Sequence, residues 1–277
     1  MNRLGGLVLA ALLVVAAGAC GDDDDSGSDG DAAPTTSGAP AIEAEPPLVV
    51  GHRGASGHFP DNTLEGVRGA ADLGAEWVEI DVRLSSDGVA VLSHDPATED
   101  GTVISATPAD ELAELDVPRF AEVLTLVDEL GLGIDVEIKA DPTEADFDAS
   151  LAVVDVAVED IQAADVGVDL VVSSFNREAI DRARELSSDE LDTFLISAGV
   201  GDATVLAADL AGAGHEGLVV GDPAFPAESV QPFEAEGLEV WAYTINEPDV
   251  AQALLDAGVT AIVTDFPDRI AEVAEAG

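Results

Sequence analysis

Cysteine occurs once in the 277 residues, at Cys20, which excludes an intrachain disulfide and any metal site built from several cysteines. Lysine also occurs once, at Lys139, and lysine plus arginine number 10 against 57 acids. A chain with a formal net charge of −47 repels phosphates and gains nothing from counterion release, so a broad nucleic-acid contact is excluded. Any phosphate this protein handles must be met locally, by a metal or a few fixed cations. The apolar run from Leu4 to Ala17 is shorter than the roughly 20 residues that a membrane span needs.

That run has a different layout. A basic start (Met1 to Arg3), an apolar stretch and the small residues of "AGAC" (Ala17 to Cys20) are arranged as in an export signal. The arrangement resembles a bacterial lipoprotein signal, which implies a signal peptide over 1–20, a lipidated Cys20, and an exported protein anchored on the extracytoplasmic side of a membrane. The alternative is an uncleaved anchor. Residues 21–47, "GDDDDSGSDGDAAPTTSGAPAIEAEPP", have almost no large apolar side chain to repay the entropy of folding and read as a disordered acidic tether. Without them the domain 48–277 still carries about −40, so the acidity belongs to the folded part as well.

After Leu48, short β-branched runs alternate with helical stretches, the pattern of parallel βα units. The runs are 48–50, 77–84, 89–94, 132–139, 168–175, 192–197, 217–222, 238–245 and 261–265. Amphipathic helices are predicted within 63–74, 119–131 and 247–258, each closed by a glycine. Nine runs are one too many for an eight-stranded barrel. "SSDG" (Ser85 to Gly88) is too short for a crossover helix, so 77–84 and 89–94 must form an antiparallel hairpin. Eight parallel strands remain, giving a TIM-type (β/α)8 barrel with a β-hairpin and a short insertion after the second strand; a doubly wound open sheet is the alternative.

Glu79 and Asp81 leave the same face of strand 77–84, and Asp135, Glu137 and Lys139 share one face of the strand 132–139. Carboxylates inside parallel strands are costly unless paired, and their oxygens are hard ligands suited to Mg²⁺ or Ca²⁺. Their bland alternative is a share in a generally acidic surface. Lys139 beside them is either a structural salt bridge or an anion-binding cation. His52 and His94 both sit where an apolar run stops, and two histidines near one cation site suit general acid and base work. His58 and His215, in glycine-rich contexts, are expected at the surface.

"GHRG", "PDNTLEG", "EIDVRLSSDGVAVLSHDP", "VPRFAEVL", "DVEIK", "VVSSFN", "VWAYTIN" and "IVTDFPD" occur in order between Leu48 and Asp268. This series closely resembles the glycerophosphodiester phosphodiesterases. The resemblance implies a TIM-type barrel that hydrolyses a small glycerophosphodiester to an alcohol and glycerol 3-phosphate. It further implies a divalent metal, Mg²⁺ or Ca²⁺, on Glu79, Asp81 and Glu137, with His52 and His94 as the acid–base pair and Arg53 and Lys139 on the phosphate. Asp61 and Asn62 would support the site, and Phe175 and Trp241 match aromatic positions that line the mouth. Two departures stand out: Asp61 replaces the usual Glu, and the segment after His94 is short. Other readings are a lipase-like phosphodiesterase acting on lysophospholipids or phosphoinositides, a non-catalytic binding lipoprotein, and a structural surface protein.

Overall fold

The computed structural model describes residues 48–144, 146–221, 226 and 229–274. The segments read as signal peptide (1–20) and tether (21–47) lie outside the described residues. In chain order the elements are β1 (Leu48–Gly51), α1 (Leu64–Asp72), β2 (Trp77–Leu84), β3 (Ala90–Leu92), α2 (Ala109–Ala113), α3 (Phe120–Leu130), β4 (Gly133–Ile138), α4 (Ala152–Ala164) and β5 (Leu170–Ser174). The second half adds α5 (Arg177–Leu186), β6 (Asp192–Ser197), α6 (Ala203–Ala213), β7 (Gly217–Val220), α7 (Gln231–Glu236), β8 (Glu239–Ala242), α8 (Pro248–Leu255), β9 (Ala261–Thr264) and α9 (Pro267–Ala274).

The sheet closes. Its order is β1-β9-β8-β7-β6-β5-β4-β2, with β1 pairing β2 to complete a ring of eight parallel strands, and β3 attached to β2 antiparallel. The hairpin expected at "SSDG" is present: Ser85 N donates to Val89 O at 3.0 Å, and Gly88 supplies a positive φ of 76°. After β3, the insertion forms a small core of its own from Val91, Ile104, Ala109, Leu112 and Val117, and contains α2, a helix that the sequence reading did not assign.

Period two along each strand sorts the side chains into two layers. Val78, Ile80 and Val82 of β2 and Ile134, Val136 and Ile138 of β4 face outward, where they pack with Val123, Leu124 and Val127 of α3 and Val154 and Val158 of α4. The alternate residues face the barrel axis. Toward the N-terminal end of the strands the axis is plugged by aromatics, with Trp241 edge-on to both Trp77 (centroids 5.3 Å apart) and Phe194 (5.0 Å). Gly133 makes room for this plug, since a Cβ there would lie 2.2 Å from the Trp77 ring. Toward the C-terminal end the axis changes character, and carboxylates replace the apolar filling.

Candidate active site

β1 ends at Gly51 and the chain turns sharply: Arg53 adopts φ 51° and Gly54 φ 92°. A Cβ on Gly54 would lie 2.6 Å from the backbone of Gly66, so the turn packs directly on the start of α1 and glycine is required. Thr63 caps that helix by accepting from Gly66 N at 3.0 Å. The turn leaves His52 and Arg53 over the barrel mouth. Arg53 N donates to Glu79 Oε2 at 2.8 Å, and Arg53 O accepts from Asn62 N at 3.0 Å. Asn62 is itself left-handed (φ 57°), a conformation Asn tolerates, and clasps Asp81 by two bonds: Nδ2 to Asp81 Oδ2 at 2.8 Å, and Asp81 N to its Oδ1 at 3.0 Å.

Glu79 and Asp81 from β2 and Glu137 from β4 each present an oxygen to one point, all within 4.8 Å of one another. Around them stand two cations. Lys139 Nζ lies 2.5 Å from Glu137 Oε1 and 2.8 Å from Asp81 Oδ1, and Arg53 Nε lies 3.3 Å from Asp81 Oδ2. Arg53 Nη1 also donates to Asp61 Oδ2 at 2.9 Å, so the shorter carboxylate at position 61 does reach the guanidinium.

The electrostatics split these acids. Burial would raise Asp81, but Lys139, Arg53 and the Asn62 amide outweigh it and hold its carboxyl below the ordinary range. Glu79 goes the other way: burial, then Asp81, Glu137 and Asp135, push it well up against the opposing hydrogen bond from Arg53 N. Glu137 is likewise raised by burial and by Asp81, with Lys139 opposing. One orphaned oxygen completes the description, since Glu79 Oε1 is buried and makes no hydrogen bond, while Asp81 Oδ1 is met only by the Lys139 ammonium. Like-charged oxygens converging around an unsatisfied Glu79 Oε1 fit a divalent cation. Hard oxygen donors with no sulfur or imidazole among them favour Mg²⁺ or Ca²⁺ as a class.

The two histidines flank this cluster. His52 Nδ1 is 2.6 Å from Asp265 Oδ1; the same oxygen accepts from Ser56 Oγ at 2.6 Å, and Asp265 Oδ2 accepts from Asn246 Nδ2 at 2.7 Å. Burial would raise Asp265, but these hydrogen bonds hold it well below the usual carboxylate range. An ionised carboxylate only accepts, so the His52 proton sits on Nδ1 and Nε2 faces Glu79 Oε2 at 3.9 Å. His94 lies just beyond β3, with Nδ1 2.7 Å from Asp95 Oδ1. Burial, Lys139 and Arg53 pull its pKa down against Asp81 and Asp95. Its backbone is clamped by buried Arg83, whose Nη2 and Nε donate to His94 O at 2.5 and 3.0 Å while Nη1 holds Asp146 at 2.9 Å.

Residues 52–269 match the model of the glycerophosphoryl diester phosphodiesterase family. The chain belongs to this family. It is 27% identical to the probable glycerophosphodiester phosphodiesterase 2 of Mycobacterium tuberculosis, over 82% of this chain and 90% of the relative. A glycerophosphodiester phosphodiesterase of Bacillus subtilis is 25% identical over 82% of this chain and 86% of its own. Among solved structures, an Oleispira antarctica phosphodiesterase in complex with the product sn-glycerol-3-phosphate superposes with a TM-score of 0.75 at 29% identity, covering 83% of this chain and 97% of that one. As a family member the chain is an enzyme, a phosphoric diester hydrolase.

Within this phosphodiesterase barrel the sequence-predicted residues His52, Arg53, Glu79, His94, Glu137 and Lys139 line one cavity of about 110 Å³. Asp81 lies against it, and Asp61 and Asn62 hold Arg53 and Asp81 from outside. Phe175, 43% exposed, stands at the rim. Trp241 does not. It is 1% exposed, part of the aromatic plug, and its Nε1 donates to Glu239 Oε2 at 2.9 Å. Its side chain shares the inward face with Tyr243 but lies one layer too deep, and it is Tyr243 that meets Phe175 edge-on (6.2 Å) at the mouth. His215 is also corrected: its side chain is fully buried between Thr193 Oγ1 (2.8 Å) and Asp181 Oδ1 (2.9 Å) and far from the surface role expected of it. His58 is exposed, beside Asp268 at 2.9 Å. Asp265, Asn246, Ser56 and Arg83 were missed, although Arg83 continues the 79, 81, 83 alternation onto the inner face.

Proposed function

We propose that the enzyme hydrolyses glycerophosphodiesters to an alcohol and sn-glycerol 3-phosphate, with a divalent cation on Glu79, Asp81 and Glu137 and with His52 and His94 as the acid–base pair. The observation that carries the reading is the placement of two imidazoles beside three converging carboxylates that leave Glu79 Oε1 unsatisfied. The bound ion would supply Lewis acidity to a phosphate oxygen. Every other part comes from the chain.

Arg53 and Lys139 carry positive charge to the rim of the cavity, where the phosphate gains charge in the transition state. Lys139, tied to Asp81 and Glu137, keeps its proton because burial, which favours loss, is outweighed by the two carboxylates. His52, with Nδ1 committed to Asp265, has Nε2 available to take or return a proton. Depressed basicity suits His94 to the complementary transfer, and each such step is worth on the order of 10² to 10⁴ in rate. The attacking oxygen is water, or the substrate's own glycerol hydroxyl, in which case a cyclic phosphate forms as the alcohol leaves and water then opens it to glycerol 3-phosphate. We further propose that Cys20 is lipidated and holds the enzyme on the extracytoplasmic face of a membrane; "AGAC" supports this, and loss of labelled lipid from a Cys20→Ala chain tests it.

The direct test is release of sn-glycerol 3-phosphate from glycerophosphocholine after chelation, then with Mg²⁺ or Ca²⁺ restored. Release that returns with either ion is the expected outcome. Silence with both, from folded protein, refutes the reading.

A further inference from the structure

Asp135 has no part in the chemistry above, yet it lines the same cavity. It is 1% exposed and sits on β4 two residues before Glu137, level with Glu79, and so about 6.6 Å deeper along the strand than the Glu137 carboxylate. Ser173 Oγ donates to Asp135 Oδ1 at 2.6 Å. Among the described residues the Asp135 side chain makes no other hydrogen bond, so its second oxygen is left to the cavity, where a carboxyl oxygen is costly unless a ligand or water meets it. Ile196, Val219 and Val263 of the same cavity offer a hydroxyl nothing.

The space beyond His94 is different. A groove of about 640 Å³ runs outward from Arg53 and His94 over Leu92, Ala97 and Val117 to solvent. One side of the reacting centre is therefore small, and its deep polar groups are Asp135 and Glu79, of which Glu79 belongs to the carboxylate cluster. The other is several times larger and open.

We infer that Asp135 selects the glycerol arm of the substrate by hydrogen-bonding one of its hydroxyls at the floor of the axial cavity, while the departing alcohol lies in the open groove. The inference rests on the phosphodiesterase reading and adds to it a specificity residue and an orientation. In either protonation state the free oxygen meets a hydroxyl, as acceptor or as donor. A site built around such a bond discriminates strongly against an analogue that lacks the hydroxyl, because the buried polar group is then left unpaired. Tight selection of the retained arm and tolerance of the leaving alcohol follow.

Binding of sn-glycerol 3-phosphate and of propyl phosphate, which lacks both hydroxyls, is measured by calorimetry with Mg²⁺ present, for the full chain and for Asp135→Asn and Asp135→Leu. Hydrolysis of glycerophosphocholine and of the matching propyl diester is followed in parallel. Wild type is expected to prefer the glycerol compound by about 10-fold or more. Asp135→Leu should reduce the preference to below about 3-fold through weaker glycerol 3-phosphate binding, with propyl phosphate unchanged, and Asp135→Asn should fall between. Equal affinities in wild type overturn the inference without any variant. So does a preference that survives both substitutions, or a parallel loss for both ligands, which is the signature of a buried structural water. If neither diester is cleaved but the binding preference is present and depends on Asp135, the hydrolysis reading fails while the selection of the glycerol arm by Asp135 stands.

Discussion

Replacing Asp265 by Asn perturbs one hydrogen-bond centre at nearly constant shape. Asp265 receives three donors: His52 Nδ1 and Ser56 Oγ on Oδ1, both at 2.6 Å, and Asn246 Nδ2 on Oδ2 at 2.7 Å. An amide has only one accepting end. With its oxygen toward His52 and Ser56, the new NH₂ meets the Asn246 NH₂, donor against donor. Flipped, the NH₂ faces His52 Nδ1, favours the tautomer protonated on Nε2, and removes the lone pair that faces Glu79. The first arrangement loses a charge-assisted bond worth about 1.5–3 kcal/mol, roughly 10- to 10²-fold in rate. The second is the wrong-tautomer situation, for which the corresponding Asp→Asn change in a serine protease lowers kcat about 10⁴-fold. Asp265→Asn is therefore expected to lower kcat by between about 10 and 10⁴ with little change in KM, measured by coupled detection of glycerol 3-phosphate. Asp268→Asn, which removes the exposed partner of His58, is the control and should stay within about 2-fold of wild type, as surface changes do. A kcat for Asp265→Asn within 3-fold of wild type would refute the assignment of His52's orientation to Asp265.

Burial and like charges raise the Glu79 carboxyl, so in metal-free protein the fold favours its protonated form and loses stability as pH rises above the ordinary Glu range. Glu79→Gln should leave metal-free protein at least as stable as wild type at pH 8, and should abolish most of the Tm rise that Mg²⁺ or Ca²⁺ gives wild type; an undiminished rise would remove Glu79 from the metal site. His215 is lowered, chiefly by burial against the opposing Asp181 bond, so its neutral form is the folded one. Its contribution is complete above the unfolded value near 6.5 and is lost as pH falls through the folded pKa, so a His215→Gln chain should show a flatter Tm profile below pH 6.5 than wild type. Gly133→Ala drives a methyl into Trp77 at 2.2 Å and should cost about 1–3 kcal/mol in urea denaturation, with kcat of the folded fraction retained; a neutral effect would mean that the plug repacks freely.

Periodicity made most of the barrel legible. Alternation in "WVEIDVRL" and "DVEIK" put Glu79, Asp81 and Glu137 on one face, and the shortness of "SSDG" identified the hairpin before any coordinates. What alternation does not carry is depth. Trp241 and Tyr243 have the same parity, and only the register of β8 against β7, with Trp241 opposite Val219, shows that the tryptophan belongs to the plug and the tyrosine to the mouth. Long-range partners were hidden for a related reason. Asp265 lies 213 residues from His52, and nothing local in "IVTDFPD" says which histidine the closing strand will approach. His215 looked like a loop residue because "GAGHEG" is rich in glycine, but the backbone there turns straight into β7 and carries the imidazole under Asp181.

Around the ring, β9, β1, β2 and β4 are consecutive neighbours, and they or the turns after them supply His52, Arg53, the three carboxylates, Lys139 and Asp265. β5 to β8 and their turns supply Phe175, Ile196, Val219 and Tyr243. Reactivity and shape are thus inherited from opposite halves of one scaffold. A lineage, or a protein engineer, can reshape the apolar wall of the cavity from the second half while the half that breaks the phosphate ester is left untouched.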